Sequence, residues 1–210
     1  MARKASSKQV RVFINCPFDW QYEKQFLALI SGIVCVGLEP HSVLEHPADQ
    51  MRLERLINLI SSCGASLHDL SRTTLSGRAG QRVPRFNMPF ELGIACQESF
   101  RSGGKHSFFI LEEVPFRLQR SMSDLNAYDP LIHHGEVRGV LRCVVNALGT
   151  ASGMPTPSMN AMESVTEGVI RVMRLKKRRR ELETLFDRNG FQSAVLAATE
   201  LARATGLVPG

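Results

Sequence analysis

The sequence predicts an α/β fold in which a parallel sheet is covered by helices on both faces. Three short segments, residues 10–15, 65–70 and 106–111, have the length and residue types of buried strands. The stretches between them carry apolar residues every three or four positions, which is the spacing of one face of a helix. Because neighbouring parallel strands need a crossover connection, this alternation of strands and helices predicts a parallel sheet.

The first half of the chain supplies a strand, a helix, a short apolar segment and a second helix. The strand Val10–Asn15 is rich in β-branched and apolar residues and stops at a Cys-Pro-Phe-Asp sequence. The helix predicted from about Trp20 to Val36 has helical apolar spacing, and Gly37 is a stop signal. A short apolar segment, residues 38–44, follows. The second helix ends near Cys63-Gly64, and its apolar positions are Leu53, Leu56, Ile57 and Ile60.

The second half continues the alternation. The second strand segment leads into a Gly- and Arg-rich loop, after which Pro89 and the good helix formers that follow it predict a helix from Phe90 to Phe100. Gly103-Gly104 ends this helix. The third strand segment leads into a less regular region, residues 113–130, and then into a helix at Val137–Leu148. Together these elements predict a flavodoxin-like α/β sandwich.

The chain divides into four parts by composition. We expect a disordered polar N-terminus, an α/β domain, a linker rich in small and turn-forming residues, and a helical C-terminal region, over residues 1–9, 10–148, 149–160 and 161–210 respectively. In the last part Asn189-Gly190 is predicted to break the chain before a short helix, Ser193–Thr205. The apolar stripe of this region suits packing on the α/β domain, self-association or binding of a partner protein.

Composition excludes several classes of protein. No stretch approaches eighteen uncharged apolar residues, and the N-terminus lacks the apolar core of a signal peptide, so we expect a cytoplasmic protein without a membrane partner. The five cysteines stand singly, and an odd number fits a reduced compartment. His133-His134 has no carboxylate or thiolate at ligand spacing, so we expect no metal site.

The net charge of +6 suggests an anionic partner. The positive charge is concentrated near Lys176–Arg180 and in the Arg78–Arg85 loop. Acidic residues follow the first of these runs directly, and interleaved charges of this kind usually cover a solvated helix face, so nucleic acid is an unlikely partner. No GxGxxG motif occurs, which leaves a dinucleotide-binding Rossmann domain without support.

Glu91 is the predicted catalytic residue. Ligands of an open parallel sheet bind beyond the carboxyl ends of the strands, and the loop after residues 65–70 delivers the chain into the helix that bears Glu91. The first turn of a helix favours a negative charge, so we expect this carboxylate to be ionised at neutral pH unless it is buried. An ionised carboxylate stabilises an oxocarbenium-like transition state and can also act as a nucleophile. The alternative is an ordinary favourable charge near a helix N-terminus.

The loop after the first strand is predicted to line the pocket. Asn15 and Asp19 are candidates for hydrogen bonds to ribose hydroxyls, and Phe18 or Trp20 for a flat surface under a base. Asp19 is equally suited to cap the helix that starts near Trp20, and Asp69 to be an ordinary residue at a strand end. The predicted substrate-binding residues are Asn15, Cys16, Pro17, Phe18, Asp19, Trp20, Asp69, Arg85, Asn87 and Phe90.

Arginines before the catalytic helix are candidates for holding a pyrophosphate, because guanidinium groups bind phosphate in a bidentate manner. Arg78, Arg82 and Arg85 lie in this loop, and Arg85 is closest to the helix start. The alternative is that these side chains are simply solvated.

These motifs resemble those of bacterial TIR-like domains over about residues 9 to 148. The resemblance rests on the first strand with its Val12–Asp19 ending, a middle strand ending near Asp69, and the Phe90-Glu91-Leu92-Gly93 turn. The chain is most similar to the divergent TIR-like proteins of bacterial antiphage systems. The Glu-Leu-Gly turn is also similar to that of nucleoside deoxyribosyltransferases, which share the fold and place a nucleophilic glutamate there.

The resemblance implies an enzyme that cleaves the nicotinamide N-glycosidic bond of NAD, with NAD as substrate and no cofactor. The essential glutamate of NAD-processing TIR domains corresponds to Glu91, and the product is hydrolysed, cyclised or transferred ADP-ribose that depletes NAD or carries a signal. A homo-oligomer or a partner effector or sensor protein is also implied. Two alternatives stay open, namely a deoxyribosyltransferase-like N-glycosidase and a non-catalytic TIR-like nucleotide sensor or assembly scaffold.

Overall fold

The structure is a computed structural model that describes residues 10–45, 51–72, 75–76, 83–84 and 86–209. Its centre is a five-stranded sheet in which all neighbouring strands are parallel, in the order β2-β1-β3-β6-β7, and a small antiparallel hairpin is formed by β4 and β5. The strands are β1 Arg11–Asn15, β2 Glu39–Ser42, β3 Ala65–Asp69, β4 Leu75–Ser76, β5 Val83–Pro84, β6 Ser107–Glu112 and β7 Leu131–Ile132.

Seven α-helices lie in the part of the chain that the structure describes. They are α1 Glu23–Cys35, α2 Arg52–Ser61, α3 Asn87–Arg101, α4 Arg117–Ser121, α5 Val137–Leu148, α6 Met159–Arg178 and α7 Arg188–Ala204. Short 3-10 turns at Trp20–Tyr22 and Val43–Glu45 follow β1 and β2. None of the described helices is long and apolar enough to cross a membrane.

The sheet is covered on both faces, as the alternation in β1 shows. Val12 and Ile14 belong to a hydrophobic cluster with α1, α5, α6 and α7, whereas Phe13 points the other way into a cluster with α2 and α3. The predicted flavodoxin-like α/β fold is therefore confirmed. Because β2 lies on one side of β1 and β3 on the other, the strand order reverses at β1, and the crevice of such a sheet opens between the carboxyl ends of β1 and β3.

Two predicted helix boundaries are wrong. Helix α3 begins at Asn87 and not at Phe90, because Pro89 is tolerated in a first turn, where backbone N–H groups have no intrahelical partner. Helix α7 begins at Arg188, so Asn189-Gly190 lies inside its first turn instead of breaking the chain. The Asp187 side chain caps this helix by accepting from the Gly190 N–H at 2.7 Å.

The C-terminal helices pack on the α/β domain. Helix α6 starts inside the predicted linker, where the Ser158 side chain caps it by accepting from the Ala161 N–H. Both α6 and α7 contribute to the cluster that includes Val12 and Ile14, and α1 lies between them and the sheet. An ion pair of 2.6 Å between Lys177 Nζ and Glu23 Oε1 joins α6 to α1. Of the three roles predicted for the apolar stripe, packing on the α/β domain is the one seen here.

Candidate active site at the carboxyl edge of the sheet

The loops that follow β1 and β3 meet at the switch point of the sheet. Asp19 caps the 3-10 turn by accepting from the Gln21 N–H, and its other carboxylate oxygen lies 2.9 Å from Nε of Arg72. Both the cap predicted for Asp19 and a contact across the crevice are therefore present. The loop after β3 is tied to the loop after β1 by this ion pair.

Asn15 lies at the end of β1, and both N–H groups of its side-chain amide donate to internal acceptors. Its side-chain Nδ2 donates to His68 Nδ1 at 2.9 Å and to the Met88 carbonyl at 2.8 Å. The first contact joins β1 to β3, and the second holds the first turn of α3 against the sheet. The sequence suggested that Asn15 binds a ribose. Asn15 is buried instead, and it positions α3 and does not present its amide to a ribose.

The Asn15 amide begins a chain of buried polar groups along β3. The direction of each hydrogen bond in this chain follows from the groups at its ends. His106 Nδ1 lies 2.9 Å from the Cys63 carbonyl and donates to it, and His106 Nε2 accepts from the Ser66 hydroxyl. The Ser66 hydroxyl in turn accepts from His68 Nε2 at 2.8 Å. Burial, with a smaller contribution from nearby His106, lowers the pKa of His68 to about 3, so His68 is neutral at neutral pH.

Asp69 ends β3 and is also satisfied inside the protein. Its carboxylate accepts from the Tyr22 hydroxyl, from the Ser71 N–H at 2.8 Å and from His133 Nε2 at 3.0 Å. The Gly135 N–H donates to His133 Nδ1, so the ring proton is on Nε2. The Ser71 hydroxyl contacts the same nitrogen at 2.9 Å, which excludes a Ser-His-Asp relay because serine and aspartate would need opposite ring nitrogens. Asp69 therefore anchors the loops that frame the site.

Glu91 is buried at this edge. It is the fifth residue of α3, in the second turn and not the first, and only 8% of its surface is exposed. Burial raises the pKa of its carboxyl group to about 7, although the positive charge of Arg52 acts in the opposite direction. No hydrogen bond joins this carboxyl group to another described residue. At neutral pH it is therefore divided between its ionised and protonated forms, whereas an unburied group would be fully ionised.

Cys16 shows that the predicted acidic residues lie near one another. Burial raises the pKa of its thiol well above the usual value, and the charges of Asp69, Glu91 and Asp19 add to that effect. Glu91 therefore acts electrostatically on a residue of the loop after β1. The thiol itself is too basic to serve as a nucleophile.

The aromatic candidates point to different places. Phe18 packs on Phe26 and Phe186, with ring centroids 6.0 and 5.8 Å away, and lines a cavity at the carboxyl edge. Trp20 is 77% exposed and borders a groove of about 700 Å³ between α1 and α6. Phe90 faces solvent on α3, on the side away from the sheet.

The remaining predicted residues have varied positions. Pro17 is buried in the loop after β1, and Asn87 is exposed at the start of α3. Arg85, like Arg78 and Arg82, lies outside the described residues. The described residues contain no group of three or more His, Cys, Asp or Glu side chains that could hold a metal ion.

The cavity beside Phe18 has a volume of about 420 Å³ and was not predicted from the sequence. It opens between the turn after β2, the start of α2 and the segment that leads into α7. Its lining combines apolar and basic residues, and it consists of Phe18, Val43, Leu44, Arg52, Arg55, Leu56, Leu59, Phe186, Asp187 and Arg188. Arg52 connects this cavity to Glu91, since its charge acts on the pKa of that carboxyl group.

Sequence reasoning missed Tyr22, Ser66, His133 and the arginines of the cavity. Tyr22 lies in the segment predicted as the helix from about Trp20 to Val36, and nothing in its spacing indicates that its hydroxyl reaches Asp69. Arg188 stands in a segment assigned to a separate helical region, about which the α/β motifs carry no information.

No family model, curated protein or solved structure matches this chain. The site has three distinctive properties: a buried carboxyl group with a pKa near neutrality, a switch-point crevice whose other carboxylates accept hydrogen bonds from the protein, and an adjacent basic and aromatic cavity.

Proposed function

We propose that this protein cleaves the N-glycosidic bond of NAD or a related nucleotide, with Glu91 as the catalytic carboxylate. The observation that carries the proposal is the state of Glu91: it is buried at the switch-point edge, has no hydrogen bond to a described residue, and has a pKa of about 7. Asp69 and Glu98, which are also buried, differ from it because both accept hydrogen bonds from protein groups. Perturbed carboxyl groups of this kind are typical of catalytic positions.

The proposed bond cleavage depends on the poor solvation of the buried Glu91 carboxylate. When the bond between the ribose C1′ and the nicotinamide nitrogen breaks, the electron pair leaves with nicotinamide and positive charge develops on the ribose. A buried carboxylate is poorly solvated, so its attraction to this cation is stronger than it would be in water. Water then adds to C1′ and loses a proton, giving ADP-ribose; an internal nucleophile at the same carbon gives a cyclic product instead.

The positive charge of the nicotinamide ring suits the same group. A cation placed beside Glu91 favours the ionised form of the carboxyl group, so substrate binding itself would convert the protonated fraction to carboxylate. Neutral nucleosides offer no such charge before the bond breaks. This difference favours NAD over the nucleoside substrates of a deoxyribosyltransferase-like enzyme, in agreement with the TIR-like resemblance of the Glu91 turn.

The test is a product profile by mass after incubation of the full chain with NAD, at low and high protein concentration. Nicotinamide should be released, and Glu91→Gln should abolish its release. Glu98→Gln is the matched control: Glu98 lies two turns later on α3 and is equally buried, but Ser61 and Arg101 bond its carboxylate and its pKa is lowered. Release that survives Glu91→Gln would contradict the proposal.

A parallel incubation with purine and pyrimidine nucleosides separates the two glycosidase activities. Free base from nucleosides but none from NAD would assign the deoxyribosyltransferase-like activity to Glu91. No base from either substrate at any protein concentration would refute catalysis and leave a role as nucleotide sensor or scaffold.

A further inference from the structure

We propose that the cavity lined by Phe18, Arg52 and Arg188 binds the phosphate groups of a nucleotide, and that the segment leading into α7 supplies part of its lining. The inference rests on the proposed function only for the identity of that nucleotide. The cavity itself, of about 420 Å³, falls within the range of roughly 300 to 1,000 Å³ that is usual for small-molecule sites.

The charge of the cavity selects an anion. Three arginines line it, and the single acidic residue of the lining, Asp187, is used to cap α7. Arg52 and Arg188 are exposed and form no ion pair with a described residue. Two guanidinium groups facing one cavity are suited to bidentate contacts with phosphate oxygens.

The two helices that supply these arginines begin at the cavity. Arg52 is the first residue of α2 and Arg188 is the first residue of α7. Backbone N–H groups at helix starts carry partial positive charge, which adds to that of the arginines. The charge therefore comes from two elements far apart in sequence that the fold brings together.

The apolar residues of the lining suit the apolar part of a nucleoside. The rings of Phe18 and Phe186 lie 5.8 Å apart at the cavity, and Val43, Leu44 and Leu56 continue the apolar surface. A phosphate alone would gain nothing from these residues. Aromatic side chains with neighbouring arginines are suited to a base or ribose joined to phosphate.

The position of Arg52 joins the cavity to the proposed catalytic carboxyl group. Arg52 lines the cavity and its charge also acts on Glu91, so a dinucleotide with phosphates in the cavity would extend toward the second turn of α3. The arginines predicted for the pyrophosphate preceded α3 in sequence. The structure supplies others, from α2 and from the C-terminal region.

The experiment is calorimetric titration of the full chain with ADP, with pyrophosphate and with adenosine. We expect ADP to bind most tightly, because only ADP contacts both the arginines and the apolar residues of the cavity. We also expect the affinity for ADP to fall as salt is raised. Arg188→Ala should weaken ADP binding about tenfold or more, as expected for a lost charged contact to phosphate. Arg203→Ala is the matched control, since Arg203 is also exposed on α7 but lines a cavity at the opposite edge of the sheet.

Arg188 is the preferred position because Arg52 also affects the pKa of Glu91. Thermal unfolding of each variant checks that the fold is retained. Absence of ADP binding at millimolar concentration, or equal affinity in wild type, Arg188→Ala and Arg52→Ala, would overturn the inference. Adenosine that binds as tightly as ADP would overturn the phosphate assignment.

The outcome can be separated from that of the proposed function. ADP binding is therefore measured on the wild-type chain beside NAD cleavage, because binding needs no catalysis. ADP bound through Arg188 in a protein that does not cleave NAD would refute the catalytic proposal alone. NAD cleavage with a KM and an ADP affinity unchanged by Arg188→Ala would refute the cavity alone.

Discussion

Replacing Glu91 with glutamine should make the folded protein more stable above neutral pH. Burial raises the pKa of Glu91 from its usual 4.5 to about 7, so folding favours the protonated form. The sign follows directly. The stability of the folded state is unaffected below pH 4.5, falls as the pH rises from there to about 7, and then stays at the lower level. Glutamine has the shape of the protonated acid and never ionises, so the variant escapes this loss.

The size of the effect follows from the two pKa values. The difference between 4.5 and about 7 corresponds to about 3 kcal/mol at about 1.4 kcal/mol per pH unit. The variant should therefore gain about 3 kcal/mol over wild type between about pH 4.5 and about pH 8. That gain is a large fraction of the stability of an ordinary domain, which is about 5 to 15 kcal/mol.

A second buried group, His68, also makes the stability of wild type and variant depend on pH. Its pKa is lowered from 6.5 to about 3, so its contribution is present above pH 6.5 and is lost as the pH falls below that value. Between pH 4.5 and 6.5 the two groups oppose each other, and their combined effect on wild-type stability nearly cancels. In Glu91→Gln only the His68 effect remains, and stability should rise by about 1.4 kcal/mol per pH unit over that range.

Urea denaturation of both proteins at half-unit steps from about pH 4.5 to about pH 8 measures the difference directly. Other titrating groups cancel when the variant is compared with wild type at each pH. If the difference in unfolding free energy between Glu91→Gln and wild type stays constant across the pH range, the raised pKa of Glu91 is refuted. Glu98→Gln serves as control, because the pKa of Glu98 is lowered by its Arg101 and Ser61 partners and its loss should not stabilise the protein at high pH.

Three further predictions test the site and its frame. Asn15→Ala should cost about 2 to 4 kcal/mol in urea denaturation, because two buried acceptors lose their donor, and a loss below about 1 kcal/mol would argue against the network. Gly93→Ala should raise Tm, since open space surrounds this helical position. Gly139→Ala should yield little folded protein, because its Cβ would lie 2.0 Å from a carbonyl oxygen. Similar Tm values for the two variants would be inconsistent with this packing. If ionised Glu91 is the active form, kcat/KM for NAD should rise about tenfold per pH unit below about pH 7 and level off above it, and a flat profile would exclude that role.

The fold was predictable because its signals are local. The apolar spacing of α1, the buried segment of β6 and the turn residues between them are each contained in a short window of sequence. The edge of the sheet that carries the site follows from topology, since carboxyl ends of parallel strands share one edge. The helix that bears Glu91 could be placed for the same reason, although its start was three residues too late.

The electrostatic state of the site was not predictable, because it depends on contacts between distant residues. The partners of Asn15 stand 53 and 73 residues away, and no spacing rule indicates that its amide N–H groups would donate hydrogen bonds to them. A glutamate near a helix start was expected to be ionised, and only the three-dimensional burial of Glu91 shows otherwise. Arg188 required the packing of α7 before it could be assigned to the same edge.

The position of α1 has a consequence for how the chain acquires its structure. Ten of the thirteen residues of this helix are buried, partly by the sheet and partly by α6 and α7, which are synthesised long after α1. A nascent chain therefore leaves the ribosome with the outer side of α1 uncovered until α7 has emerged. During that interval the exposed apolar surface is a target for chaperones and for aggregation. Stop codons or frameshifts before α7 should yield aggregated protein rather than a smaller folded protein.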